Sequence, residues 1–165
     1  MTSCLPQLVT ALSSKRDEME KLLLLLQEEQ KSIIDVDLAG LEALESRKRE
    51  LLGVMERGNA EYRLLLKDAA KELKIEKIDN LSPLIQKSPQ PLRETLSRLQ
   101  SSLLEIGEAL NRLLDFNRGL LENSLQHVQQ NLTFFNSLIN SSKTYGDAGN
   151  MIAGNGGSRL VCKEV

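Results

Sequence analysis

Residues 92–139 read LRETLSRLQSSLLEIGEALNRLLDFNRGLLENSLQHVQQNLTFFNSLI, and this stretch decides the fold. Leu92, Leu96, Leu99, Leu103, Ile106, Leu110 and Leu113 recur at alternating steps of four and three, which places them on one face of an α-helix. Beyond Leu113 the same register falls on Asn117, Ser124, His127 and Asn131. The apolar stripe continues instead at Leu114, Leu121, Leu125, Val128, Leu132, Phe135 and Ile139. A four-residue stutter of this kind rotates a stripe around a helix without ending it. Phe116, Leu120, Phe134 and Leu138 add a second row that widens the apolar sector. The pattern predicts one helix from Pro91 or Leu92 to about Asn140, on the order of 70 Å long at ~1.5 Å per residue.

Two similar patterns lie upstream. Leu5, Leu8, Leu12, Met19, Leu22, Leu26, Ile33 and Val36 keep the three/four spacing, with Lys15 and Glu29 as departures whose heads can reach water from a seam. Pro6 falls in the first turn, where its missing N–H is no loss. At Asp35-Val36-Asp37 the register slips, and Asp37 is suited to cap a second helix. That helix carries Leu41, Leu44, Leu51, Met55, Tyr62, Leu66, Ala69 and Leu73 on one face, with Leu52 and Leu65 in a second row. Periodicity leaves open whether 5–36 and 38–74 form one bent helix or an antiparallel pair; a break with a cap but no Gly or Pro loop favours a continuous or kinked rod. Residues 75–91, with Asp79-Asn80, Ser82-Pro83 and Ser88-Pro89-Gln90-Pro91, break the repeat. Here the chain reverses, with room for a short helical turn around Leu84.

The expected fold is therefore all-α: an elongated antiparallel helical bundle or coiled coil of three long helices at about 5–36, 38–74 and 92–140. A single domain is expected over 1–140, and a flexible tail over 141–165, because five of the ten glycines lie between Lys143 and Val165 among few apolar groups.

Composition narrows the function. Of 165 residues 33 are leucine, and 21 basic side chains stand against 23 acidic, a formal charge of −2. A nucleic-acid binder needs a basic surplus to displace counterions. The longest apolar run, Leu22 to Leu26, is far shorter than the ~20 residues that span a bilayer, so no stable membrane insertion is expected. Met1 to Gln7 has neither a basic region nor an apolar signal core. Cys4 and Cys162 stand near opposite ends, as free thiols or as a pair if the termini meet; a reducing cytosol favours free thiols. A soluble cytoplasmic protein is expected.

Catalytic chemistry finds no foothold. His127 is the one histidine, and residues 123–142 around it carry no formal charge. No C-x-x-C, H-E-x-x-H or G-x-x-x-x-G-K occurs, and Gly154-Asn155-Gly156-Gly157 follows no strand pattern. Asp35 and Asp37 are better explained by capping than by acid–base work. No enzyme, metal or cofactor is expected. Arg47-Lys48-Arg49 could form a small basic site, but mixed charge order in this half suits a solvated helix face.

The uncharged segment Asn123 to Ser142 is the informative one. It is either one more core helix or a surface for another chain. Its sector is wide for a single seam, and its flanks are Gln126, Gln129, Gln130, Asn131, Asn136 and Asn140. Neutral amides are desolvated more cheaply than ions, which suits helix-in-groove or helix-bundle binding. A membrane-surface helix would need flanking Lys or Arg, and none is present. The rival arrangement is a structural homodimer whose seam is the heptad run at 92–113, with the uncharged segment as inter-subunit core.

These features together resemble the FlgN family of flagellar export chaperones. The resemblance covers roughly residues 10–150. It rests on the Leu-rich run and acidic residues from Leu22 to Glu29, then Asp37-Leu38-x-x-Leu41-x-x-Leu44 with Arg47-Lys48 and Leu51-Leu52. It continues through Glu72-Leu73-Lys74-Ile75, the long third helix and its exit Thr144-Tyr145-Gly146-x-x-Gly149. Lys74 departs from the family pattern, where a glycine would sit more comfortably. The resemblance implies a cytosolic chaperone for hook–filament junction (hook-associated) proteins that binds a terminal helical segment of its client and delivers it to the cytosolic domain of the flagellar type III export gate. The client surface it implies is Leu121, Leu125, Val128, Leu132, Phe135 and Ile139, with Phe134 and Leu138 on the edge. Tyr145 is the implied residue for export-gate docking.

Overall fold

Leucine at three/four spacing yields helices whose stability comes from burying one face against another helix. The computed structural model describes residues 4–141, with side chains through residue 139. Its elements are α1 (Cys4–Ile34), α2 (Leu38–Glu72), α3 (Ser82–Lys87) and α4 (Gln90–Ser141), and no strand occurs among the described residues. The chain divides into two compact units, Met1–Leu121 and Glu122–Val165.

In the first unit α1 and α2 form an antiparallel hairpin. The Cys4 N–H, in the first turn of α1, donates to Glu72 Oε2 at the end of α2, 2.9 Å away. Arg47 near the start of α2 pairs with Glu28 near the end of α1. A single bent or kinked rod over 5–74 is therefore not what forms. The reason lies in the turn. Val36 N–H donates to Ile33 C=O and Asp37 N–H to Ser32 C=O, 3.2 and 2.9 Å, the bond pair of a Schellman motif. That motif places Val36 in the left-handed region at φ 55°. Asp37 then accepts from Gly40 N at 3.0 Å, as the capping reading expected. A Cβ on Gly40 would run into the Asp37 carboxylate as it is placed, so a larger residue there makes that carboxylate shift. Val36 is no core residue; it is 75 % exposed at the hairpin tip.

The second turn repeats the device. Lys74 N–H donates to Lys71 C=O and Ile75 N–H to Ala70 C=O, with Lys74 at φ 52°. Lys74, the position where the family pattern favours glycine, thus adopts the backbone conformation glycine takes most readily. Left-handed backbone costs a non-glycine residue about 1–2 kcal/mol, and Val, being branched at Cβ, fits it poorly. Val36→Gly and Lys74→Gly should each raise stability by up to about 1 kcal/mol, after the larger unfolded-state entropy of glycine is subtracted. A urea titration that shows no gain for either variant would mean these turns are not Schellman turns in solution.

Between the long helices, α3 is six residues long with Pro83 in its first turn. Ser88 ends it in an extended conformation before Pro89, as the residue before proline prefers. Arg93 Nη2 donates to the carbonyls of Gln86 and Ser88, 2.8 and 3.2 Å, closing the end of α3. Leu81 and Leu84 pack with Leu5, Leu8, Leu12, Ala69, Leu96 and Leu99 in one core cluster. A second cluster joins Leu22, Leu26 and Leu110. Rising numbers in α1 meet rising numbers in α4, so within this unit α4 runs parallel to α1 and antiparallel to α2.

Lys15 and Glu29 do not simply hold their heads in water. Lys15 Nζ lies 4.9 Å from the Tyr62 ring centroid, a cation–π contact; burial and then Arg63 lower its pKa, and burial raises that of Tyr62. Glu29 accepts from Asn117 Nδ2 at 2.9 Å and pairs with Lys48. Asn117 is itself buried and also donates to Leu26 C=O at 2.8 Å. Its Oδ1 has no partner among the described residues. Burial works against the Lys48 charge, but hydrogen bonds to Glu29 and Glu45 outweigh it and raise the pKa. One polar cluster thus ties α4, α1 and α2 together where the inward leucine register ends.

Candidate functional site

The face singled out by sequence lies on α4. Leu121 closes the first unit and is exposed. In the second unit every residue from Glu122 to Ile139 is exposed. Leu125, Leu132 and Phe135 are 59 %, 57 % and 58 % exposed, and Val128, Phe134, Leu138 and Ile139 are exposed with them. Leucine and phenylalanine are normally among the more buried residue types, so an apolar helix face exposed over this length departs from the usual distribution. Tyr145 lies outside the described residues.

Local chemistry keeps this face ready for burial. Thr133 Oγ1 donates to Gln129 C=O at 2.9 Å and Ser137 Oγ to Phe134 C=O at 2.7 Å. Both hydroxyls are satisfied by their own helix, so covering them strands no polar group. Phe134 and Phe135 meet edge to face, with ring centroids 5.9 Å apart at 64°, a favoured aromatic arrangement. Beside Phe134 a shallow furrow runs past Gln126, Gln129, Gln130, Thr133 and Ser137. His127 is exposed on the same helix.

Other sequence candidates resolve differently. Arg47, Lys48 and Arg49 are engaged with Glu28, Glu29 and Glu45; the basic triplet joins α2 to α1 and to itself. The heptad positions proposed as a homodimer seam are occupied within the chain, since Leu96, Leu99 and Leu110 are buried in its own core clusters. Cys4 is a half-buried free thiol. Among the described residues no group of three or more His, Cys, Asp and Glu could hold a metal ion, and no helix is long and apolar enough to cross a membrane. The polar cluster at Asn117 was missed by sequence reading. Its one signal was an asparagine falling on the leucine register.

The architecture defines an all-helical protein with its core in the first unit and an uncharged, unburied apolar face on its last helix. The family model described as FlgN protein matches residues 1–152, and the chain belongs to the FlgN family. Membership implies a flagellar export chaperone. No curated protein and no solved structure matches the chain.

Proposed function

We propose that the chain is a cytosolic chaperone that binds hook–filament junction proteins through the α4 face and delivers them to the flagellar type III export gate. The single observation that carries this reading is the exposure of Leu125, Val128, Leu132, Phe134 and Phe135 on a helix segment without formal charge. A client helix that buries its own apolar side against Leu121, Leu125, Val128, Leu132, Phe135 and Ile139, with Phe134 and Leu138 at the rim, leaves water on both sides of the contact. No ion has to be desolvated on this partner, which removes a penalty that charged flanks would impose. Binding is passive: it needs no nucleotide, metal or covalent step. Ordering a client segment offsets part of the gain, which keeps the complex releasable.

The test is a titration of a purified junction protein's terminal helical segment into the chain, followed by isothermal calorimetry. Saturable binding with a negative heat-capacity change, the mark of apolar burial, is expected; absence of binding refutes the reading. Gate docking is assigned to Tyr145. Tyr145→Ala should leave client affinity unchanged while weakening capture by the gate's cytosolic domain. Unchanged capture removes Tyr145 from the site.

A further inference from the structure

The spacing on the α4 face has a consequence for the protein without a client. Leu125, Val128, Leu132, Phe135 and Ile139 follow steps of three and four, the a and d positions of a coiled coil. The four from Leu125 to Phe135 are symmetric about residue 130. When two such helices lie antiparallel with a two-fold axis level with Gln130, Leu125 of one meets Phe135 of the other, and Val128 meets Leu132. We propose that in the free protein this face is paired, in that antiparallel register, with the same face of a second copy.

Three observations favour a second copy as occupant. First, the flanking e and g positions are Ser124, Gln129, Asn131, Asn136 and Leu138. Charges at e and g are what forbid like-with-like pairing, and none of these carries one. Second, the seven apolar side chains from Leu125 to Ile139 are exposed by 49 % to 67 %. Without Phe134, which falls at a c position outside the seam, they offer on the order of 600 Å² per copy, below the roughly 800 Å² per partner of a standard interface. That size suits an association that forms and still yields. Third, the pairing is isologous, the commonest closed arrangement. Antiparallel order opposes the helix dipoles favourably and avoids setting Glu122 beside Glu122. A lipid surface is disfavoured as occupant because residues 123–142 contain no Lys or Arg. A client would then displace a copy from the same face; that competition rests on the function proposed above, while the pairing does not.

Sedimentation equilibrium of the full chain across the micromolar range tests the pairing. The average mass should climb from 18.4 kDa towards twice that value as concentration rises. Leu132→Asp should remain at 18.4 kDa with its helical circular dichroism intact, and Leu64→Asp, at an exposed site in the first unit, should pair like the parent. A parent chain that stays at the single-chain mass throughout, or a Leu132→Asp chain that pairs as well as the parent, overturns the proposal. Orientation is read by oxidation in a Cys4→Ser, Cys162→Ser background. Leu125→Cys mixed with Phe135→Cys should form a linked pair, whereas Leu125→Cys linking to itself would overturn the antiparallel register. A chain that binds the junction segment but never pairs refutes this inference alone. One that pairs but ignores the segment refutes the proposed function alone.

Discussion

Leu132→Asp and Phe135→Asp should each weaken client binding by at least about a hundredfold, a loss of roughly 2.7 kcal/mol or more. The magnitude follows from what the substitution does in the complex. An aspartate at the centre of an apolar contact must either stay ionised without a partner or take up a proton, and both penalties reach several kcal/mol. At concentrations where the chain is a single copy it feels almost none of this, because both positions are more than half in water and surface substitutions of this kind shift stability by about 0.5 kcal/mol or less. Helical circular dichroism and the urea midpoint should therefore stay near those of the parent while the titration loses its heat. Collapse of the helical signal in both variants would show instead that this stripe is internal core. Binding at parental strength would move the client elsewhere on the chain. A control at Leu64, exposed on α2, separates a general effect of added charge from one on this face.

The sequence predicted the face because of its register, and it could do no more than that. Leucine spacing through Leu113, and its shift towards Leu121, marked where one face of α4 would stop serving the chain's own core. The structure places Asn117 at that junction, buried and bonded to Leu26 and Glu29. Spacing alone leaves open whether the shifted stripe is covered. The turn at Val36 was no easier to read, since a β-branched residue is poorly suited to left-handed backbone. The hairpin was therefore hidden by one residue that breaks a local rule. Glu29 was hidden for the same reason: its partner Lys48 is 19 residues away, and only an antiparallel α2 brings the two together. Lys74 was readable in part, because the family pattern suggested glycine where the structure has φ 52°. The capping role of Asp37 was readable in full, being local to three residues.

The largest effect on stability should come from the smallest helix. A helix of six residues has no independent stability, and the bond from Ser82 N–H to Asn80 Oδ1, 3.0 Å, at the start of α3 does not hold it alone. It stays in place because Leu84 is wholly buried between the N-terminal end of α1 and the start of α4, in the cluster with Leu8, Leu12 and Leu96. Ser88 reinforces it from within: its N–H and its Oγ both bond the Leu84 carbonyl, at 3.0 and 2.7 Å. Leu84→Ala removes three carbon atoms from a filled core and leaves a cavity walled by leucines, a change worth about 2–5 kcal/mol. Against a total of roughly 5–15 kcal/mol for a typical domain, that is a large fraction. The urea midpoint should fall accordingly with the slope of the transition unchanged, because the same surface is exposed on unfolding. Leu132→Ala, the same chemical change at an exposed site of α4, should move the midpoint of the unpaired chain by less than a tenth as much. If Leu84→Ala shifts stability by under about 1 kcal/mol, α3 is not packed in the core in solution, and the crossover from α2 to α4 must take another path. If it instead flattens the transition, the first unit no longer unfolds as a single cooperative body, and α4 depends on this crossover for more than its direction.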